Sequence, residues 1–233
     1  MTQVVAVVQA RMGSQRFPGK MLAPLGGLAL IDWVLNRVLR ATSVDQVILA
    51  TSTNTQDDEL VEHAKKFGVR VVRGSETDVL SRFIEALAQT QSGLVVRVCA
   101  DNPFIAPEEI DRLVGDFKVG DFDYSCNHQQ RLNNKYADGF GAEILTIKLL
   151  REISALATEP SHREHVTSYL WDNQTKFRIK AVDAPTELAF PEVRLDIDTP
   201  GDLSRLDSFI AQFGITIDST AIEILRSFRK YIE

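Results

Sequence analysis

Short β-branched runs alternate with longer segments of helical period through the first hundred residues. "VVAVV", "QVILA", "VRVV" and "LVVRV" are nearly all apolar, as strands of a sheet covered on both faces must be. Between them Leu30, Ile31, Val34, Leu35, Val38 and Leu39 fall on one stripe at helical spacing, and Leu60, Val61, Ala64 and Phe67 on another. Residues 78–89 read as a third helix. Residues 107–116 read as a fourth, opened by a proline and acids that suit a helix N-terminus. Repetition of strand, helix and strand predicts βαβ units on a mostly parallel sheet with helices on both faces, an α/β class.

Beyond residue 116 the rhythm changes. "DFDYSCNHQQRLNNKYADGFGAEIL" is polar, carries three Asn and places "DG" between extended stretches, so it predicts strand, long loop, strand. Such a loop in a compact domain is usually functional or pairs with something outside it. Residues 122 to about 190 are therefore expected to form an excursion that lids a site or builds a dimer interface. "VRLDIDTPGDLSRL" then returns to strand, turn and helix, and residues 219–231 close the chain as an amphipathic helix. A length of 233 residues suits one domain spanning 1–233 with a sizeable core.

Composition adds mainly exclusions. An apolar fraction of 44% with 25% charged residues is that of an ordinary globular chain. No segment reaches the roughly 18 consecutive apolar residues of a membrane span. "VVAVVQ" lacks the basic lead of a secretory leader, so a cytoplasmic location is expected. Cys99 and Cys126 form no framework and read as reduced buried thiols. A net charge of -6 gives no general attraction for nucleic acid.

Against that acidic background one stretch stands out. "QARMGSQRFPGK", residues 9–20, packs Arg11, Arg16 and Lys20 among glycines and a proline, and the first carboxylate of the chain is Asp32. A glycine-rich turn between strand and helix can aim backbone N–H groups at phosphate oxygens, with basic side chains supplying charge. It is not a Walker A loop, because five residues separate Gly13 from Gly19-Lys20 and Met21 stands where Ser or Thr should bind magnesium. The dinucleotide pattern GxGxxG is also absent. The alternative is a solvated basic turn.

Two further stretches bear on that choice. "CADNPF" places Asp101 just past the strand 94–98, where open α/β sheets bind ligands. "LDIDTPGDL" places Asp196 and Asp198 before a helix that Pro200 can start, and alternation sends both to one side. Two hard carboxylates facing a phosphate loop are a donor set that Mg2+ accepts while keeping waters and substrate oxygens. Taken singly, Asp198 could cap the helix and Asp101 could shape its turn.

"ARMGSQRFPGK" resembles the signature loop of the cytidylyltransferases that activate acidic sugars, the CMP-Kdo and CMP-sialic acid synthetases, and above all their SpsF-like relatives. The resemblance continues through "LATS", "VRGSETDVLSRF", "RVCADNPFI", "DGFGAEI", "HREHVTSYL" and "IDTPGDL". It implies a Rossmann-like nucleotidyltransferase fold in which Ala10, Arg11, Gly13, Ser14, Arg16 and Lys20 hold CTP. Arg73 and Ser75 would lie near base and ribose, Asp101 and Asp198 would hold Mg2+, and Asp138, Gly139 and Glu143 would meet the sugar. Arg163, in "REHVT", would contact the sugar carboxylate. Lys20, Arg16 and Arg11 would stabilise charge during CMP transfer to an α-keto acid sugar, with release of pyrophosphate. The expected partners are CTP, a small acidic sugar and a second copy of the chain, with no nucleic acid and no membrane. Two departures weaken Kdo itself as the acceptor: Gln9 stands where Kdo enzymes tend to have Pro, and "CADNP" replaces "QGDEP". Rival readings are a nucleotidyltransferase for a sugar 1-phosphate or another small phosphate or alcohol, and a nucleotide-binding protein without turnover. His162 and His165 lack metalloprotease spacing and read as structural, and Trp33 and Trp171 as packing residues.

Overall fold

The computed structural model describes residues 2–128 and 132–233. β1 (Val4–Gln9) leads through the basic loop to a small antiparallel hairpin, β2 (Pro24–Leu25) and β3 (Leu28–Ala29). Gly26 and Gly27 turn that hairpin at φ 56° and 81°, values that glycine adopts without a Cβ penalty. Then follow α1 (Leu30–Val38), β4 (Gln46–Ser52), α2 (Asp58–Lys66), β5 (Arg70–Gly74), α3 (Val79–Leu87), β6 (Leu94–Cys99) and α4 (Pro107–Val119). The chain continues with β7 (Tyr124–Cys126), β8 (Glu143–Thr146), α5 (Ile147–Leu156), α6 (Pro160–Glu164), α7 (Ser168–Asp172), β9 (Ile179–Ala181), α8 (Pro200–Phe213) and α9 (Ala221–Ile232).

Among the described residues seven strands form one sheet in the order β5-β4-β1-β6-β8-β7-β9. β5, β4, β1 and β6 are mutually parallel, β8 runs antiparallel to both its neighbours, and β9 is parallel to β7. The alternation of side chains along each strand builds two cores. Val4, Ala6 and Val8 face α1, α4, α8 and α9, while Val5 and Val7 face α3, α5 and α7. Each such Val, wholly withdrawn from water, contributes about 1.5–3 kcal/mol. Runs without polar positions were needed because both faces are covered.

The expected excursion is not separate from this sheet. β7, β8 and β9 extend it, and all three residues of β7 are buried. Trp171 packs edge-on against Tyr124 beneath them, with ring centroids 5.4 Å apart. Residues 129–131 of the long polar loop lie outside the described residues. The strand expected at "VRLDI" is also not regular: it makes one isolated bridge, Asp138 to Arg194, yet keeps the alternation, with Val193, Leu195 and Ile197 buried. Helix boundaries shift for local reasons. Asp78 is the N-cap of α3, accepting from Ser81 N at 2.8 Å, and α4 runs on to Val119.

Candidate active site

In the sheet β1 lies between β4 and β6, so the strand order reverses at β1, and the crevice past the carboxyl ends of β1 and β6 is where such sheets bind ligands. A cavity of about 690 Å³ opens there, large enough for a nucleotide and a small partner. The basic loop forms one wall, the ends of β1 and β6 the floor, and Glu164 and His165 at the end of α6 part of the rim.

The loop is held by its own backbone and by one buried acid. Ser14 N and Gly19 N both donate to Met12 O, and Gly19 sits at φ 74°, which sends the chain into the turn that starts at Lys20. Phe17 N donates to Ser14 Oγ, and Ala10 N donates to Ala50 O on β4. At Gly13 a Cβ would lie 2.6 Å from Glu76 Oε1 and 2.8 Å from Gln56 Nε2, so a side chain there would push the ends of these two flexible side chains aside. Asp57, fully buried, accepts from Met12 N at 2.7 Å through Oδ1. Its Oδ2 accepts from Thr51 Oγ1, Ser52 N and Ser52 Oγ. The loop is thereby fastened to the end of β4.

The loop's cations differ in freedom. Lys20 is buried, its Nζ donating to Ile197 O at 2.7 Å and standing 3.8 Å from Asp198. Arg16 is largely exposed and pairs with Asp198 at 2.8 Å. Arg11 Nη1 donates to Glu76 O, and its Nη2 lies 3.7 Å from Glu164 across the mouth.

Asp101 and Asp198 line the same cavity because Ile197 N donates to Asp101 O, which ties the segment before α8 to the end of β6. Burial pushes the Asp101 carboxyl above the usual carboxylate range, and the charges of Asp198 and Asp196 push the same way against Lys20. Crowded acids of this kind are relieved by a cation. Among the described residues no group of three or more His, Cys, Asp or Glu side chains could hold a metal ion. Two carboxylates that leave room for water and phosphate oxygens fit Mg2+, which rarely uses an all-protein cage. Asp198 precedes the helix without capping it: the N-cap of α8 is Thr199, which forms a capping box with Asp202, and Pro200 starts the helix.

The remaining sequence-derived residues stand apart from the cavity wall. Arg73 donates to Ser52 O, Asn54 O and Asp58, tying β5 to the turn after β4, and Ser75 Oγ accepts from Asp78 N. Neither lines the cavity. Arg163 is turned away as well: its guanidinium grips Asp78 at 2.7–3.0 Å and donates to Ser154 O, anchoring α6 to the start of α3. Its neighbours Glu164 and His165 are the ones that reach the rim. The two histidines of "HREH" do not act together, since α6 ends at Glu164 and His162 bonds Asp172 at 2.8 Å.

Asp138 is half-buried beside Arg194, and burial together with the charge of Asp196 raises its carboxyl above the usual range. Gly139 sits at φ 115°, where a Cβ would come 2.9 Å from Leu195 Cβ, so its identity serves the backbone. Glu143 is fully buried and accepts from Arg97 at 2.8 Å. Arg97, Asp57 and Glu164 were given no role by the sequence, Gln9 was read only as a departure from the Kdo pattern, and His165 only as structural. Arg97 did carry a signal, a lone cation inside "LVVRV", whereas Asp57 could not be told from other loop acids.

Residues 5–224 match the family model for cytidylyltransferases. The spore coat polysaccharide biosynthesis protein SpsF of Bacillus subtilis (strain 168) is 34% identical over 97% of this chain and 93% of its own length. The 3-deoxy-manno-octulosonate cytidylyltransferase of Pelobacter propionicus is 39% identical, over 48% of this chain and 43% of its own. A cytidylyltransferase structure from Leptospira borgpetersenii superimposes with a TM-score of 0.89 at 29% identity, covering 100% of this chain and 96% of that one. With the family match running from inside β1 to inside α9, on a fold shared nearly whole with the Leptospira protein, the chain belongs to the cytidylyltransferase family.

Proposed function

We propose that the protein transfers CMP from CTP to the anomeric hydroxyl of an acidic α-keto sugar destined for a surface polysaccharide or glycan. The observation that carries this reading is the convergence of Lys20, Arg16, Asp101 and Asp198 at one mouth of the cavity. The names of the SpsF and octulosonate relatives favour a sugar acceptor.

In the reaction the anomeric oxygen attacks the α-phosphorus, the bond to the β-phosphate oxygen breaks, pyrophosphate leaves, and the hydroxyl proton passes to water. Charge grows on the phosphoryl oxygens and the leaving group, so fixed cations and positioning supply most of the rate. Lys20 is fixed by Ile197 O before any substrate arrives, which spares reorganisation. Arg16 can exchange Asp198 for a phosphate oxygen, and Arg11 positions the triphosphate together with the loop from Ala10 to Ser14. Asp101 and Asp198 would hold Mg2+, whose charge on the phosphate oxygens would make phosphorus more electrophilic. In this reading Asp138, Gly139 and Glu143 serve the acceptor from behind the cavity wall, Glu143 through its bond to Arg97. Arg73 and Ser75 bear on base and ribose only through the turn that they brace.

A cytoplasmic enzyme and a two-fold homodimer belong to the same proposal. Among the described residues no helix is long and apolar enough to cross a membrane, and sedimentation equilibrium reads the oligomeric state. The decisive assay supplies Mg2+, each NTP, and a panel of Kdo, nonulosonic acids and sugar 1-phosphates, and measures pyrophosphate release. Release with CTP and one keto acid is expected. Release with a sugar 1-phosphate, or with another NTP, would replace this reading.

A further inference from the structure

Arg97 is a cation built into the cavity floor that phosphate binding by the loop does not use. Along β6, Leu94, Val96 and Val98 enter one core, while Val95, Arg97 and Cys99 take the other face, which opens at Arg97 into the cavity. Antiparallel pairing with β8 sets Glu143 directly opposite, and Nη1 donates to Glu143 Oε1 at 2.8 Å. Nη2 reaches Gln9 Oε1 only at 3.4 Å, and Nε carries no hydrogen bond among the described residues. A guanidinium has five N–H donors, and this one, 13% exposed, makes one short bond and one long one.

We propose that Arg97, with Gln9 beside it, recognises the carboxylate of the acceptor sugar. The inference rests on the acidic-acceptor reading above and names the residue that enforces it. Glu143 holds Nη1 and so aims the guanidinium; with Nε enclosed, the donors left for a ligand are those of Nη2 and the second N–H of Nη1, the end of a planar group that can bind a carboxylate with two parallel hydrogen bonds. In an α-keto acid sugar the carboxylate carbon is bonded to the anomeric carbon that bears the nucleophile. The group that reads the carboxylate must therefore neighbour the group that orders the reacting oxygen. Arg97 and Asp101 leave the same strand four residues apart, and the charge of Asp101 acts on the guanidinium. Arg11, Arg16 and Lys20 all come from the loop on the other wall, where the proposed reaction engages them with the triphosphate.

Steady-state kinetics would use the acid that the wild type turns over in the panel above, and the carboxamide of the same sugar. Arg97→Lys keeps the charge and loses the fork. Arg97→Gln combined with Glu143→Gln removes the pair without stranding a buried charge. Gln9→Ala removes the loose partner. For both Arg97 variants the KM for the acid should rise about 10- to 100-fold, as loss of a charged hydrogen bond implies. The KM for CTP should stay within about twofold, and the preference for acid over carboxamide should collapse. Gln9→Ala should move the same preference in the same direction by less. Thermal melting and calorimetric CTP binding check that each variant is folded, and Arg97→Lys with Gln9→Ala decide the matter if the double variant is not. A wild type that uses no acid, or takes acid and carboxamide alike, overturns the acidic-acceptor reading and this assignment with it. A wild type that discriminates, with Arg97 variants that discriminate equally, overturns the assignment alone. A rise in KM for CTP instead would give Arg97 to the nucleotide.

Discussion

Asp57→Asn separates the fastening of the basic loop from its charge. The carboxylate serves four donors: Oδ1 takes Met12 N, and Oδ2 takes Thr51 Oγ1, Ser52 N and Ser52 Oγ. An amide keeps one oxygen and turns the other position into a donor, so whichever way it faces, a backbone N–H of Met12 or Ser52 meets N–H. With the oxygen left on the side of three donors, Met12 loses its acceptor and the loop comes loose from β4. Loss of one hydrogen bond to a charged acceptor at a buried site costs about 2–3 kcal/mol. For a domain of this size that lowers Tm by about 4–12 °C. The substitution removes no cation of the loop and loosens only its placement, so kcat at saturation should fall less than the affinity for CTP, whose KM should rise on the order of tenfold. Urea unfolding and CTP titration of the turnover rate read the two quantities separately. Stability within about 0.5 kcal/mol of the wild type, with an unchanged KM for CTP, would refute the reasoning.

Other perturbations test different parts of the molecule. Lys20→Met should lower kcat about 10²- to 10³-fold, by analogy with loss of an oxyanion donor, and single-turnover measurement of pyrophosphate release would detect it. Gly139→Ala forces a side chain into φ 115° and against Leu195, so urea unfolding should show a loss of about 1–3 kcal/mol. Asp111 accepts from the N and Oγ atoms of both Thr42 and Ser43. Burial opposes its ionisation, but these donors prevail and hold its carboxyl below the usual range. Its contribution is therefore fully present above the unfolded value near pH 4 and is lost as pH falls through the lower folded value. Asp111→Asn should cost about 1–2 kcal/mol at pH 7, and the gap to wild type should close on acidification in unfolding curves at pH 7, 5 and 3. A gap that widens in acid would contradict that sign.

What the sequence made legible was periodic or local. Runs such as "VVAVV" and "QVILA" announced strands buried on both faces, and Pro107 and Pro200 each start a helix. The basic loop and the aspartates of "CADNP" and "IDTPGDL" could be placed near one another because all three follow the carboxyl end of an extended segment. What stayed hidden was pairing across distance. Arg163 binds Asp78, 85 residues away, and Arg97 meets Glu143, 46 residues away, through a strand register that no spacing encodes. A motif lists which side chains carry charge; which of them is already neutralised depends on tertiary contacts. For the same reason "VRLDI" kept its alternation but not its ladder, since a strand also needs a neighbour.

The bond from Lys20 Nζ to Ile197 O joins positions 177 residues apart. During synthesis the chain emerges at about 5–20 residues per second, so the loop is outside the ribosome many seconds before the carbonyl that aims its lysine. β1 waits in the same way, since it is flanked by β4 and by β6, which is made much later. A ribosome-bound chain stopped before Ile197 would carry the whole basic loop, yet Lys20 would lack its anchor and Asp198 would be missing. On the proposed reading, competence for transfer therefore arrives only when the segment ahead of α8 docks and supplies both the anchor of Lys20 and Asp198.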